Sequence, residues 1–244
     1  MNKTVIIIPS RLDAKRLPNK PLKLINNKEM IVHVYEAAVS SNSGEVYVAT
    51  PNQIIVDIIK KVGGKAILTK DNHETGTDRV FEVFKETLKS DPKIIVNLQG
   101  DMPNIEPKSI KSLIDYMHHN KCEIGTLASS ISSNSELLDQ NIVKVLVKEK
   151  IQSGKFVNAI DFVRINSNSK LAVYHHIGIY AFTNKALLRY VSLKRSKLEI
   201  ERKLEQLRAM ENNMSIHVGY INSSPLSVDT EKDLNEIKKI MEKK

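Results

Sequence analysis

The chain of 244 residues is long enough to bury a full hydrophobic core, and we expect one large α/β domain. Its net charge of +9 would suit a nucleic-acid partner, but Lys and Arg are scattered along the chain. Aromatic residues make up only 5% and Trp is missing, so few stacking platforms are available and nucleic-acid binding is not expected. The single cysteine, Cys122, excludes an intrachain disulfide and a cysteine-rich metal site.

No targeting or membrane segment is expected. The apolar run near the start covers about four to five residues, against the roughly 7 to 15 of a signal-peptide core. No stretch approaches the ~18 apolar residues of a membrane span. The sequence therefore predicts a cytoplasmic protein that does not insert into a membrane.

The first strand and the loop after it are the most informative stretch. Residues 5–8 are consecutive β-branched side chains, typical of a central parallel strand covered on both faces. Pro9 lacks an N–H and ends the strand. Arg11, Arg16 and Lys20 follow at the sheet edge where open α/β sheets bind ligands, which favours a polyphosphate. The alternative is a solvated loop in a Lys-rich chain.

Helices and strands alternate after this loop, with connections too long for hairpins. We predict helices at 30–40 and 52–62, and strands at 45–50 and 66–68. A polar loop at 71–79 then leads into a helix whose apolar face comprises Val80, Val83, Phe84 and Leu88. This order predicts right-handed crossovers and a mostly parallel central sheet.

A second candidate site follows an apolar strand at 93–98. The strand runs into Gln99, Gly100 and Asp101, where a glycine allows close backbone approach and a carboxylate can bind Mg²⁺. Asp229, near the carboxyl terminus, is a second candidate ligand. The alternatives are a turn aspartate at 101 and a helix N-cap at Asp229 or Thr230.

The second half is predicted to contain an inserted β region at about 140–182. The predicted elements are helices at 107–119, 198–210 and 230–241, strands at 123–131, 141–147, 151–156, 175–182 and 215–221, and a mobile loop at 165–171. Strands 141–147 and 151–156 would form a hairpin over 148–150. The charges at 201–208 are interpreted mostly as a solvated helix face.

Two adjacent histidines lie on the strand at 175–182. His175 and His176 would face opposite sides, so they are poorly placed to bind one zinc ion. One of them could donate a hydrogen bond to a polar ligand, or be a satisfied structural histidine.

Cations on one loop and carboxylates at two other positions suit nucleotidyl transfer, in which a metal offsets triphosphate charge and cations stabilise pyrophosphate. Neither a P-loop nor a dinucleotide glycine motif is present. Six segments in order resemble the CMP-KDO synthetases, the 3-deoxy-manno-octulosonate (KDO) cytidylyltransferases. They are the segments at 8–11 with 16–22, 75–79, 97–101, 176–180, 204–208 and 228–230.

The resemblance implies a three-layer nucleotide-diphospho-sugar transferase fold, a homodimer, Mg²⁺ as cofactor, and formation of CMP-KDO and pyrophosphate from CTP and KDO for lipopolysaccharide synthesis. It also implies roles for individual residues. Pro9, Ser10, Arg11, Arg16, Lys20, Thr75 and Gly76 would bind CTP, with Arg11, Arg16, Lys20 and Asp101 catalytic. Asp101 and Asp229 would hold Mg²⁺. Gln99, His176, Glu205 and Gln206 would line the sugar side.

Three positions depart from the family pattern. Met102 stands where a Glu is common, Asn158 where an Arg is expected to bind the sugar acid, and Pro51 where an Asp is usual. The sugar could therefore be another acid, such as 8-amino-KDO or a sialic-acid relative, or Arg164 or His175 could supply the missing cation. A further alternative is a non-catalytic nucleotide- or nucleic-acid-binding protein of the same fold.

Overall fold

The computed structural model describes residues 3–87, 91–165 and 170–242. The helices and strands, in chain order, are β1 (Thr4–Pro9), β2 (Leu24–Ile25), β3 (Lys28–Glu29), α1 (Met30–Ser40), β4 (Glu45–Thr50), α2 (Gln53–Lys61), β5 (Ala66–Leu68), α3 (Gly76–Glu82), β6 (Ile94–Leu98), α4 (Pro107–His119), β7 (Ile124–Ser129), α5 (Asn134–Leu138), β8 (Lys144–Val147), β9 (Phe156–Val163), β10 (Ala172–Thr183), α6 (Asn184–Ser192), α7 (Lys197–Arg202), α8 (Gln206–Glu211), β11 (Ile216–Tyr220) and α9 (Glu231–Glu242).

The chain divides into two compact units. The first unit comprises Met1–Lys111 with Pro225–Lys244, and the second unit is Ser112–Ser224. The single domain inferred from the sequence stays a prediction. Leu88 and residues 166–169 of the predicted mobile loop lie outside the described residues.

The first unit contains a parallel sheet of four strands in the order β5-β4-β1-β6. The side chains of β1 are all buried, as the run of β-branched residues predicts. Parallel pairing requires crossovers, and α1 and α2 supply two of them with buried apolar faces. This confirms the predicted parallel sheet and places the loop after β1 at its carboxyl edge.

Helix α3 begins earlier than predicted. The Thr75 hydroxyl accepts a hydrogen bond from the Asp78 backbone N–H, and the Asp78 carboxylate accepts one from the Thr75 backbone N–H, which makes a capping box. Residues 76–79, predicted as loop, are therefore the first turn of the helix. A π-helical turn, Val83–Thr87, continues it.

The second unit contains five strands in the order β10-β7-β11-β9-β8, and β8 also pairs with β10. The strands therefore form a closed circuit. All pairs are antiparallel except β7 with β11. Alternation along the strands turns Thr126, Val145, Phe162, His176 and Val218 to the interior, where all five are buried.

Two sequence predictions in this unit are wrong. Residues 151–155 form a turn, and the hairpin partner of β8 is β9, which begins at Phe156. The helix predicted at 198–210 is two short helices, α7 and α8. Lys203 has a left-handed backbone, φ 54°, and ends α7. Helices α5 and α6 were not predicted.

Among the described residues, no helix combines the length and the apolar character needed to cross a membrane.

Candidate active site

The loop after β1 is anchored where it leaves the sheet and where it ends. The Ser10 backbone donates to the Ala49 carbonyl at 2.9 Å, and the Leu12 backbone donates to the Asn52 side chain at 3.0 Å. The loop ends in a 3₁₀ turn, Lys20–Leu22, behind Asn19 in a left-handed conformation. Arg11 and Arg16 remain exposed on the loop between these anchors.

Lys20 lies between the two predicted metal ligands. Its Nζ donates to Asp101 Oδ2 at 3.0 Å and to Asp229 Oδ1 at 3.0 Å. Arg16 forms a further ion pair with Asp229 Oδ2 at 2.9 Å. The structure thus brings together four residues that the sequence analysis assigned to one site.

Backbone contacts explain why the two aspartates meet. The Val228 N–H donates to the Asp101 carbonyl at 2.9 Å, which ties the segment before α9 to the segment after β6. Thr230 forms the cap of α9, exchanging hydrogen bonds with Asp233. The cap is therefore Thr230, and the Asp229 carboxylate is directed to Lys20 and Arg16 instead.

The two carboxylates determine the charge of Lys20. Burial lowers the pKa of Lys20, but attraction to Asp101 and to Asp229 together outweighs it, so the pKa lies above its ordinary value. The ammonium group therefore stays charged at neutral pH, and its positive charge is held between two negative charges.

The donor set of this cluster fits Mg²⁺. Two carboxylates that contact one nitrogen are within reach of one ion, and Mg²⁺ is commonly bound by one or two carboxylates with water and substrate phosphates. Within the described residues, no group of three or more His, Cys, Asp or Glu side chains could hold a metal. Any ion held here would complete its coordination with water or phosphate.

Pro9 and Gly76 of the predicted nucleotide side lie close to Gln99 of the predicted sugar side. A Cβ atom at Gly76 would lie 3.4 Å from both Gln99 Nε2 and Pro9 Cγ, so these three residues are in close approach. Gln99 is oriented by donation to Asn97 Oδ1 at 3.1 Å. The hydroxyl of Thr75 is occupied by its cap with Asp78, so its side chain serves the helix.

Two further polar groups lie at or near the cationic loop: Ser10, which was predicted to bind CTP, and Arg79, which was not predicted as a site residue. The Ser10 hydroxyl is buried and has no hydrogen-bond partner among the described residues. Arg79 is buried on α3 and donates to the Lys70 carbonyl at 2.7 Å. Burial, followed by the nearby charge of Arg11, lowers the pKa of Arg79. A helical Arg does not reveal from sequence whether it is buried, so no pattern identified it.

His176 lies inside the strand circuit of the second unit. Thr126 Oγ1 donates to the Ile179 carbonyl at 2.7 Å, so it accepts from His176 Nε2 at 3.0 Å. Burial, and then the charge of His175, lower the pKa of His176 to about 3, and the ring is neutral. With Nε2 protonated, Nδ1 is an acceptor. Because the ring already donates to Thr126, its other nitrogen can accept a hydrogen bond, and the contact favours the structural-histidine alternative for His176.

The start of α8 lies near Tyr180. The Tyr190 hydroxyl donates to the Glu205 carbonyl at 2.9 Å. The Tyr180 hydroxyl is buried without a hydrogen-bond partner in the described part of the chain. Burial, followed by the charge of Glu205, raises the pKa of Tyr180. Gln206 is buried beside Glu205 in sequence.

A buried ion pair links α7 to α8. Arg208 donates from Nε to Glu199 Oε2 at 2.8 Å and from Nη2 to Glu199 Oε1 at 2.6 Å. The Glu199 side chain is 0% exposed and that of Arg208 is 4% exposed. The Arg208 guanidinium also lies 4.7 Å from the Tyr190 ring centre. The prediction that these charges form a solvated face is therefore wrong for Arg208.

The structure shows the surroundings of two positions that depart from the family pattern, Met102 and Asn158. It also shows those of His175 and Arg164, the two candidates to replace the missing cation. Met102 is buried, 2% exposed. His175 pairs with Glu136 at 2.7 Å and faces away from His176. Arg164 donates to the Gln140 carbonyl at 3.0 Å. Asn158 is exposed on β9, opposite His217 on β11.

A cationic loop at the carboxyl edge of a parallel sheet, facing two carboxylates, defines a nucleotidyltransferase-type site. The family described as Cytidylyltransferase matches residues 5–216. The chain belongs to the cytidylyltransferase family.

Named relatives cover nearly the whole chain. The 3-deoxy-manno-octulosonate cytidylyltransferase of Bartonella tribocorum is 40% identical over 242 residues, covering 97% of this chain and 98% of its own. That of Rhodopseudomonas palustris is 39% identical over 244 residues, covering 98% of both chains.

A solved structure of CMP:2-keto-3-deoxy-manno-octonic acid synthetase complexed with CTP is 36% identical, with TM-score 0.88 over 99% of both chains. A 4-diphosphocytidyl-2C-methyl-D-erythritol synthase from Anaerococcus prevotii, 14% identical with TM-score 0.65 over 98% of both chains, shares the fold. These matches confirm the predicted α/β nucleotidyltransferase fold.

Proposed function

We propose that this chain transfers CMP from CTP to 3-deoxy-manno-octulosonate, forming CMP-KDO and pyrophosphate for lipopolysaccharide synthesis. The observation that carries the proposal is the cluster of Lys20 with Asp101 and Asp229, three residues far apart in sequence that meet at a strand edge. Full-length relatives named for this activity support it.

The reaction is a displacement at phosphorus. The anomeric hydroxyl of KDO attacks the α-phosphorus of CTP, a new P–O bond forms, and the bond from the α-phosphorus to the bridging oxygen of the β-phosphate breaks. The hydroxyl loses its proton to solvent or base, and pyrophosphate carries away the electron pair. Arg11, Arg16 and Lys20 bind the phosphates and stabilise the charge that develops on the leaving pyrophosphate.

Asp101 and Asp229 would hold Mg²⁺, which would offset the negative charge of the triphosphate and of the incoming sugar acid. On the nucleotide side, Gly76 lets the cytidine approach the backbone of α3, and Pro9, Ser10 and Thr75 border the same region. The Ser10 hydroxyl is buried and has no hydrogen-bond partner in the described parts of the chain, which supports a ligand contact there.

Gln99, His176, Glu205 and Gln206 are the residues that we assign to the sugar. KDO carries several hydroxyl groups, and neutral His176 offers Nδ1 as an acceptor for one of them. Glu205 is a second acceptor, while the amides of Gln99 and Gln206 can both donate and accept.

The test is pyrophosphate release from CTP and Mg²⁺ with KDO, 8-amino-KDO and sialic acid offered separately. We expect release with KDO, and dependence on both CTP and the acid. Release with none of the three acids, together with salt-sensitive oligonucleotide binding, would instead indicate a non-catalytic protein.

A different acidic sugar is the second candidate, because Asn158 carries no charge. Its cross-strand neighbour His217 shares a hydrogen bond of 2.6 Å between Nδ1 and the Tyr116 hydroxyl, and burial lowers the pKa of His217. Neither side chain therefore supplies a cation for a carboxylate.

If position 158 sets the affinity for the sugar acid, Asn158→Arg should lower the KM for KDO by about tenfold and leave the KM for CTP unchanged. Steady-state kinetics with each substrate varied in turn measure both constants. An unchanged KM for KDO would show that position 158 does not set sugar affinity.

We also infer a cytoplasmic homodimer. Exposed apolar side chains in the second unit, including Leu138 at 72% and Ile160 at 46% exposed, are candidates for its interface. Light scattering of the purified chain measures the oligomeric state.

A further inference from the structure

One ammonium group contacts both carboxylates that we assign to Mg²⁺. Lys20 Nζ is 3.0 Å from an oxygen of Asp101 and 3.0 Å from an oxygen of Asp229, and Arg16 covers the second Asp229 oxygen at 2.9 Å. Lys20 is only 16% exposed, so this contact is shielded from water and its charges are weakly screened.

The charges of this cluster balance. Two carboxylates face two cations, Lys20 and Arg16. A divalent cation that binds the carboxylates without a nucleotide places its charge beside those cations or drives them away from their partners. A triphosphate that binds alone must compete with the carboxylates for the same cations.

Both conflicts end when the metal and the nucleotide bind together. The carboxylates then face the divalent cation, and Lys20 and Arg16 face the phosphates. Lysine suits this exchange, because its long flexible side chain carries a point charge that can turn to a new partner.

We propose that Lys20 competes with the divalent cation for the oxygens of Asp101 and Asp229, so that the metal binds tightly only together with CTP. The inference rests on the proposed function, since it requires these residues to bind metal and nucleotide. It adds that the cations on the loop make the binding of the divalent cation and the binding of CTP depend on each other. Because coupling is reciprocal, Mg²⁺ strengthens CTP binding by the same factor.

The test is titration of the full chain with magnesium chloride in the absence of nucleotide, followed by calorimetry. We expect weak binding to the natural protein. Lys20→Met, which removes the competing charge, should bind Mg²⁺ about tenfold more tightly. Arg16→Gln, a change at an exposed position that pairs with Asp229, should show a smaller increase.

Lys23→Met is the matched control. Lys23 lies on the same segment, but its partner is Glu231 at 4.0 Å. Its removal changes the net charge equally and should leave Mg²⁺ affinity unchanged. Circular dichroism of each variant confirms that it is folded.

Two results would overturn the inference. One is an Mg²⁺ affinity of folded Lys20→Met that equals or falls below that of the natural protein, including no detectable binding; if Lys20→Met does not fold, the same result for Arg16→Gln overturns it. The other is equal tightening in Lys23→Met, which would indicate a general charge effect. Failure of the proposed function is a separate result, because it appears as no pyrophosphate release from the natural protein with any acid.

Discussion

The cluster of Lys20, Asp101 and Asp229 consists of side chains that come together only in the folded chain. Lys20 is 81 positions from Asp101 and 209 from Asp229, yet one nitrogen contacts both. The strand-end positions of Lys20 and Asp101 could be predicted, because parallel strands present their carboxyl ends at one edge. The position of Asp229 beside Lys20 could not be predicted from the sequence pattern. It depends on the backbone hydrogen bond that the Val228 N–H donates to the Asp101 carbonyl.

Asp101→Asn should lower kcat about a hundredfold, because the amide lacks the negative charge that faces Lys20 and that we propose holds Mg²⁺. Pyrophosphate release measures this rate. Asp13→Asn, the same chemical change at an exposed position of the cationic loop, is the control and should retain activity. Equal rates for the two variants would contradict the role of Asp101.

Burial of the His176 ring makes the stability of the second unit depend on pH. Its pKa is about 3 in the folded protein against 6.5 for the ordinary side chain, so between these values the unfolded chain binds a proton that the folded chain does not. Stability is therefore lost as the pH falls from about 6.5 toward about 3.

His176→Gln should reduce the slope of unfolding free energy against pH in that window by about one proton, roughly 1.4 kcal/mol per pH unit. Urea unfolding at a series of pH values measures the slope. His119→Gln, an exposed histidine on α4, should leave the slope nearly unchanged. Parallel curves for His176→Gln and the natural protein would show that His176 is not buried as a neutral ring.

Among the elements, the junction of α7 and α8 positions Glu205 and Gln206. Helix α7 ends at left-handed Lys203, and the buried pair of Glu199 with Arg208 joins the two helices across this break. Tyr190 connects the pair to the start of α8, since its ring lies under Arg208 and its hydroxyl donates to the Glu205 carbonyl.

Glu199→Ala should cost about 3–5 kcal/mol of unfolding free energy, because it leaves Arg208 buried without its partner. Arg195→Ala removes a 3.1 Å contact to the same carboxylate from a side chain that is 45% exposed, and should cost less than about 1 kcal/mol. Chemical denaturation measures both. Similar costs for the two would mean that burial does not set the strength of this pair.

The elements that sequence predicted well are those whose apolar pattern is unbroken, such as β1 and β6. Helical spacing across residues 198–210 predicted one helix, because leucines on both sides of the break keep the same periodicity and a left-handed lysine leaves no signature. Strand β9 was misplaced because its apolar residues are partly exposed and its pairing with β8 contains an irregularity.

Over the whole molecule, the net charge of +9 alone would favour a polyanionic polymer as partner. The structure instead pairs Arg16 and Lys20 of the candidate site with carboxylates. Such pairing suits a small anion, such as a nucleoside triphosphate, that can replace the carboxylates as the partner of these two cations. The family match over residues 5–216 agrees with this interpretation.

Phosphorus NMR of a reaction containing the chain, CTP, KDO and Mg²⁺ distinguishes transfer from hydrolysis most directly. We predict that the three triphosphate signals are replaced by a phosphodiester signal and pyrophosphate in equal molar amounts, only when KDO is present. Conversion of CTP to CMP and pyrophosphate without KDO, or no change in the spectrum with an acid that the chain binds, would contradict cytidylyl transfer.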